Sequence, residues 1–86
     1  MNILLSSIAK NDIRLLIRIF NAEKENKGAE FLEAIKESVG CILQQSANLK
    51  NNTHENFTEA MLDFPVNIHY FFENEENILI TAVFKI

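Results

Sequence analysis

Two β-type runs separated by four polar residues close this chain. Phe64-Pro65-Val66-Asn67-Ile68-His69-Tyr70-Phe71-Phe72-Glu73 is followed by Asn74-Glu75-Glu76-Asn77, then by Ile78-Leu79-Ile80-Thr81-Ala82-Val83-Phe84-Lys85-Ile86. So short a polar connection joins neighbouring antiparallel strands. From Phe64 to Phe72 every second residue is apolar, whereas Pro65, Asn67, His69 and Glu73 point the other way. One face of the hairpin must therefore be covered, and the rest of the chain has to supply the cover.

That cover is helical. Ile3-Leu4-Leu5 reads as a buried first strand, and Ser6-Ser7 after it as a helix N-cap, with Ser7 the preferred residue. The following helix carries Ile13, Leu16, Ile17 and Phe20 on one face. Leu15 and Ile19 widen that stripe, which predicts contact on more than one side. Residues 21–28 supply a turn, with Asn26 the cap of a second helix running from Lys27 to about Ala47. Its stripe is Leu32, Ile35, Val39 and Ile42, flanked by Phe31, Ala34 and Leu43. Gly40 in its interior costs about 1 kcal/mol relative to alanine, which predicts close packing or a bend. Residues 48–56 read as a polar surface loop and Phe57–Leu62 as a weak strand.

The expected order is β-α-α-β-β-β. It describes an α+β fold in which a helical hairpin packs on one face of a mostly antiparallel four-stranded sheet. Ile78, Leu79, Ile80 and Val83 are apolar on both faces, which places the last strand centrally, beside the first. At 86 residues, with two glycines and one proline, the chain has no room for a linker and reads as a single domain, 1–86.

Composition narrows the function. No apolar run approaches the ~20 residues needed to span a bilayer, and the opening residues lack the basic start of a signal peptide. A cytoplasmic protein without membrane attachment is expected. Cys41 is the only cysteine, which leaves no disulfide framework or thiolate zinc site. It reads as a small buried residue within the second helix. His54 reads as a solvated loop residue with no metal role, and no cofactor is called for. Residues 1–50 hold seven of the eight Lys and Arg against six acids. Residues 51–86 set Lys85 alone against Glu55, Glu59, Asp63, Glu73, Glu75 and Glu76. An acidic sheet half argues against broad nucleic-acid binding there.

Taken in order, three stretches resemble the RelE/ParE superfamily, the toxins of bacterial toxin–antitoxin (plasmid stabilisation) modules. They are Ile3-Leu4-Leu5-Ser6 entering the first helix, Phe31-Leu32-Glu33-Ala34-Ile35, and Phe64-to-Tyr70 followed by Ile80-Thr81-Ala82-Val83-Phe84. The resemblance covers essentially the whole chain and rests on fold signatures. It implies a toxin-like protein neutralised by a cognate antitoxin, directed at gyrase or at ribosome-bound mRNA, with a homodimer compatible with either. The ribonuclease branch resembles a site of basic, histidine and tyrosine groups on the open sheet face. Here the arginine usual before the "FPY" stretch is replaced within Phe57-Thr58-Glu59-Ala60-Met61. Phe71 stands where another arginine is common, Lys85 replaces a histidine, and the chain ends at Ile86.

The candidate residues follow from this pattern. His69 as general base and Lys85 as phosphate partner would form a catalytic pair if both lie on the uncovered sheet face. The ordinary alternative is a solvated face carrying one histidine. Tyr70 reads as a core tyrosine. Phe71, on the polar side of its strand with Asn67, suggests a partner-binding surface. Arg14 and Arg18, a helix-edge pair with Lys10 nearby, would meet an acidic partner, although a solvated helix face has the same spacing. Three function classes stand: a toxin acting by protein binding, an endoribonuclease, and a non-toxic relative kept as a binding module. The missing arginines and the acidic sheet half favour the first or third.

Overall fold

The computed structural model describes residues 2–49 and 56–86. Its elements are β1 (Asn2–Leu5), α1 (Ser7–Glu23), α2 (Lys27–Leu49), β2 (Asn56–Ala60), β3 (Val66–Phe72) and β4 (Asn77–Lys85). The strands form one sheet ordered β1-β4-β3-β2, with β1 parallel to β4 and the other pairs antiparallel. The last strand is central and beside the first, as its two-sided apolar pattern predicts. The expected order and the helical hairpin on one sheet face are both present. Most of the expected loop, including His54, lies outside the described residues, although α2 runs on through Leu49 and Asn56 already belongs to β2.

Burial along β3 alternates without a break. Val66, Ile68, Tyr70 and Phe72 are buried, and Asn67, His69 and Phe71 lie half-buried on the opposite face. Ile78, Ile80 and Val83 of β4 join the buried side, against Leu16 and Phe20 of α1 and Phe31, Ile35 and Ile42 of α2. α1 lies directly on β4, and α2 packs chiefly on α1. The far end of the core is pinned by three rings: Phe20 lies 5.0 Å from both Phe31 and Phe64, which are 5.4 Å apart.

Several expectations are corrected. Phe31 is fully buried and Leu32 is 38% exposed, because Phe31 is drawn into the aromatic cluster and turns the inner face of α2 by one residue. Cys41 is exposed for the same reason, lying about 100° round the helix from buried Ile42. β1 is not buried. It is an edge strand flanked only by β4, and Leu4 and Leu5 are exposed. Leu15 and Ile19 are also exposed, so the described residues make no second contact with α1 there.

The caps differ in detail from expectation. Ser6, not Ser7, caps α1: its Oγ accepts from the Ala9 N–H at 3.0 Å and its hydroxyl donates to the Thr81 carbonyl at 3.0 Å. Asn26 takes the cap position of α2 at φ 66°, its carbonyl accepting from the Glu30 N–H. The side-chain acceptor comes instead from Asn21, whose Oδ1 receives the Gly28 N–H at 2.8 Å. A Cβ on Gly28 would lie 2.6 Å from that oxygen and 2.7 Å from the Ile17 carbonyl. Gly40 faces open space and α2 is continuous through it, which removes the expected close packing.

A bulge in β4 reverses the side-chain alternation. His69 pairs with Ala82 while Tyr70 pairs with Ile80, so Thr81 is the extra residue. Beyond Ile80 no strand covers the β1 side of β4, and α1 supplies partners in its place. The Thr81 carbonyl accepts from Ser6, and the Val83 N–H donates to Asp12 Oδ2 at 3.1 Å.

Three substitutions check this account by urea unfolding. Gly28→Ala should cost roughly 1–3 kcal/mol through overpacking, whereas Gly40→Ala should stabilise by up to about 1 kcal/mol. Asp12→Ala, which leaves the Val83 N–H without its acceptor, should cost about 1–3 kcal/mol.

Candidate functional site

The register of the sheet decides what each face offers. Leu4, Leu79, Phe71 and Asn56 form one row across the open face. Ala82, His69 and Thr58 form the next, followed by Phe84, Asn67 and Ala60. These three rows carry no Asp, Glu, Lys or Arg. The His69 ring meets Phe84 edge-on, with centroids 4.6 Å apart, and Phe84 is 39% exposed. Such a surface suits a neutral apolar contact and has no cation to hold a phosphate.

Lys85 is on the other side. The Thr81 bulge sets it opposite buried Val66, on the helix side of the sheet. There its Nζ lies 3.3 Å from Glu23 Oε2 and over the Phe20 ring. Glu23 also accepts from Lys27 at 2.8 Å, and these two lysines hold its carboxyl below the usual carboxylate range, Lys27 contributing most. The structure therefore does not bring His69 and Lys85 together. Phe71 and Asn67 do share the open face with His69, both half-buried.

Tyr70 lies in the core, stacked on Phe57 at 5.6 Å. Burial, helped by the nearby Glu59 carboxylate, raises its phenol above the ordinary value.

Arg14 and Arg18 are exposed on α1, one turn apart, and Arg14 borders a recess. That recess is an apolar cleft of about 420 Å³ between the two helices and the β1 side of the sheet. Ile3 and Leu5 of β1, Ile13 of α1, Leu32, Ile35 and Val39 of α2, and Ile68, Ile80 and Val83 of the sheet form its walls. Its polar lining consists of Lys10, Arg14 and Lys36, with no acid among them. Sequence reading missed the cleft. Lys10 and Arg14, four residues apart on α1, were the available signal, but the exposure of Leu32 and Leu5 depends on helix rotation and strand order. On the opposite side of α2 a recess of about 510 Å³ is lined by Glu30, Glu33, Glu37 and Asp63 with Lys27. Among the described residues no group of His, Cys, Asp and Glu is placed to hold a metal ion. No helix there is long and apolar enough to cross a membrane.

No family model matches this sequence, and no curated protein matches it. Among solved structures it is similar to a chain of a chromosomal ParDE TA system from P. aeruginosa. The TM-score is 0.80 at 18% identity, over 100% of this chain and 96% of that one. At that identity the likeness establishes a ParE-like fold.

The raised Tyr70 phenol has a consequence at alkaline pH. The unfolded chain releases its phenolic proton first, near pH 10, so the stability contributed by the neutral phenol is complete below that pH. It is lost as pH rises towards the folded-state value. Urea midpoints across this range should fall less steeply for Tyr70→Phe than for the parent, which has no other tyrosine.

Proposed function

We propose that this chain is the toxin-like component of a bacterial type II toxin–antitoxin system, acting by binding a protein and neutralised by a cognate antitoxin. The observation that carries the reading is the whole-chain likeness to a chain of a ParDE TA system. The resemblance of Phe64-to-Tyr70 and Ile80-to-Phe84 to the RelE/ParE ending supports it from the sequence.

Protein binding is preferred over RNA cleavage for a chemical reason. Cleavage next to a 2′-hydroxyl needs proton transfer and stabilisation of charge on a phosphate in one place. His69 is the only titratable group in the three cross-strand rows of the open face, and its ring packs on Phe84. The nearest replacement cation in sequence, Lys85, is engaged with Glu23 across the sheet. By contrast, Phe71, Leu79 and Phe84 with Asn67 form an uncharged surface suited to a protein target, with gyrase the class implied by the ParE branch. Action in the cytoplasm follows from this reading.

Controlled expression in a bacterial host tests it. Growth arrest with DNA-damage signalling and intact mRNA is expected, relieved by co-expression of a small antitoxin-like protein from an adjacent reading frame. With His69→Ala, as with the parent, mRNA should remain intact. Translation-coupled mRNA cleavage lost with His69→Ala would instead establish the ribonuclease reading, and harmless overexpression a non-toxic binding module.

A further inference from the structure

The cleft between the helical hairpin and β1 is not used by the open-face reading, and its lining holds only two kinds of side chain. Nine of its twelve residues are aliphatic, and the other three are Lys10, Arg14 and Lys36. No hydroxyl, amide, imidazole or carboxylate side chain is among them. The walls are helix and strand, whose backbone groups are already paired along the elements. Ile68, Ile80 and Val83 close the floor, each at most 2% exposed. The three cations are exposed at the rim, Lys10 and Arg14 from α1 and Lys36 from α2. Lys10 and Arg14 make no ion pair with any described residue, and Lys36 has only a surface contact with Glu33 at 3.4 Å. The whole chain carries a net charge of −4, so a mouth of this sign runs against its average.

From this arrangement we infer that the cleft is a binding site for a fatty carboxylate, a small molecule with one alkyl chain. The chain lies against the aliphatic walls and the carboxylate stands among Lys10, Arg14 and Lys36. The chemistry of the lining selects this class. A sugar, a nucleotide or a peptide backbone would carry donors and acceptors into walls that offer them no partner, and each such group costs its desolvation. An alkyl chain carries none. A neutral hydrocarbon would leave the three cations unmatched, and a cationic amphiphile would be repelled by them. Size agrees. The space of about 420 Å³ falls in the range of small-molecule sites, roughly 300–1,000 Å³. If a methylene takes about the 30 Å³ that a water occupies in the liquid, a chain of roughly ten to fourteen carbons fills it. Apolar burial supplies the affinity, and the cations fix which end of the ligand points outward. The site is independent of the toxin reading, since it requires neither a partner protein nor the open face.

The probes are octanoate, decanoate and dodecanoate, each titrated into the purified full chain below the concentration at which it forms micelles. One molecule should bind per chain, with circular dichroism unchanged. Affinity should rise about fourfold for each added methylene, the factor that corresponds to burying one such group. Decyltrimethylammonium, which keeps the chain and reverses the charge, should bind at least about tenfold more weakly than decanoate. A Lys10→Gln, Arg14→Gln, Lys36→Gln variant, its fold checked by circular dichroism, should lose most of that preference for the anion while keeping the dependence on chain length. Amide shifts on adding decanoate should move at Leu5, Leu32 and Val39 and remain still at His69 and Phe84. Affinity indifferent to the head group or to chain length would overturn the inference, as would shifts confined to the open face. Uptake of many molecules with loss of helical signal, which is denaturation by a detergent, would overturn it too. Movement of the same cleft amides on raising the protein concentration alone would give the cleft to a second copy instead.

Discussion

The fold depends on how α1 closes an edge that the sheet itself leaves open. β1 is four residues long and β4 is nine, so half of the central strand has no neighbour on one side. Backbone groups left there without partners would each cost a desolvation penalty of about 1–3 kcal/mol. Ser6 and Asp12 remove that penalty by taking the Thr81 carbonyl and the Val83 N–H. The Ser6 hydroxyl serves twice, since it also starts the helix. The same contacts stabilise the bulge, and the bulge decides which way every later side chain points. Without it Val83 would face outward and Phe84 inward, the reversal that a one-residue slip always brings.

This is also where the sequence stops being legible. Element order, the helical hairpin, the central position of the last strand and the burial of β3 follow from periodicity, because strict alternation and 3.6-residue spacing are local properties. The bulge is not local. Ile78-Leu79-Ile80-Thr81-Ala82-Val83 is compatible with a regular strand, and only the spacing of Ile80 to Val83 hints at the extra residue. The bulge therefore turns Lys85 to the helix side and parts it from His69, which local alternation does not foretell. Leu32 and Phe31 pose the same problem on a helix: both fit an apolar stripe, and the choice is made by Phe20 and Phe64, distant in sequence. Phe71 and Asn67, on a strand with unbroken alternation, were placed correctly on the open face.

Two sides of the sheet thus differ in kind. The open side is uncharged and aromatic, and the helix side opens into a greasy cleft bordered by positive groups. A partner read by charge and a partner read by shape would meet different halves of the molecule. Among the described residues many of the acids lie on the outer flank of α2 and in the turn between β3 and β4. The surplus of negative charge therefore serves solubility and repulsion between copies more than recognition.

Pairing β1 with β4 joins residues about 75 positions apart, as the Asn2–Asn77 side-chain contact illustrates. During synthesis the first strand must wait for β4, whereas the helical hairpin closes over a short span. An emerging chain holds paired helices with no finished sheet beneath them. Whatever the completed sheet recognises, a chain that has not yet added β4 is unable to engage it.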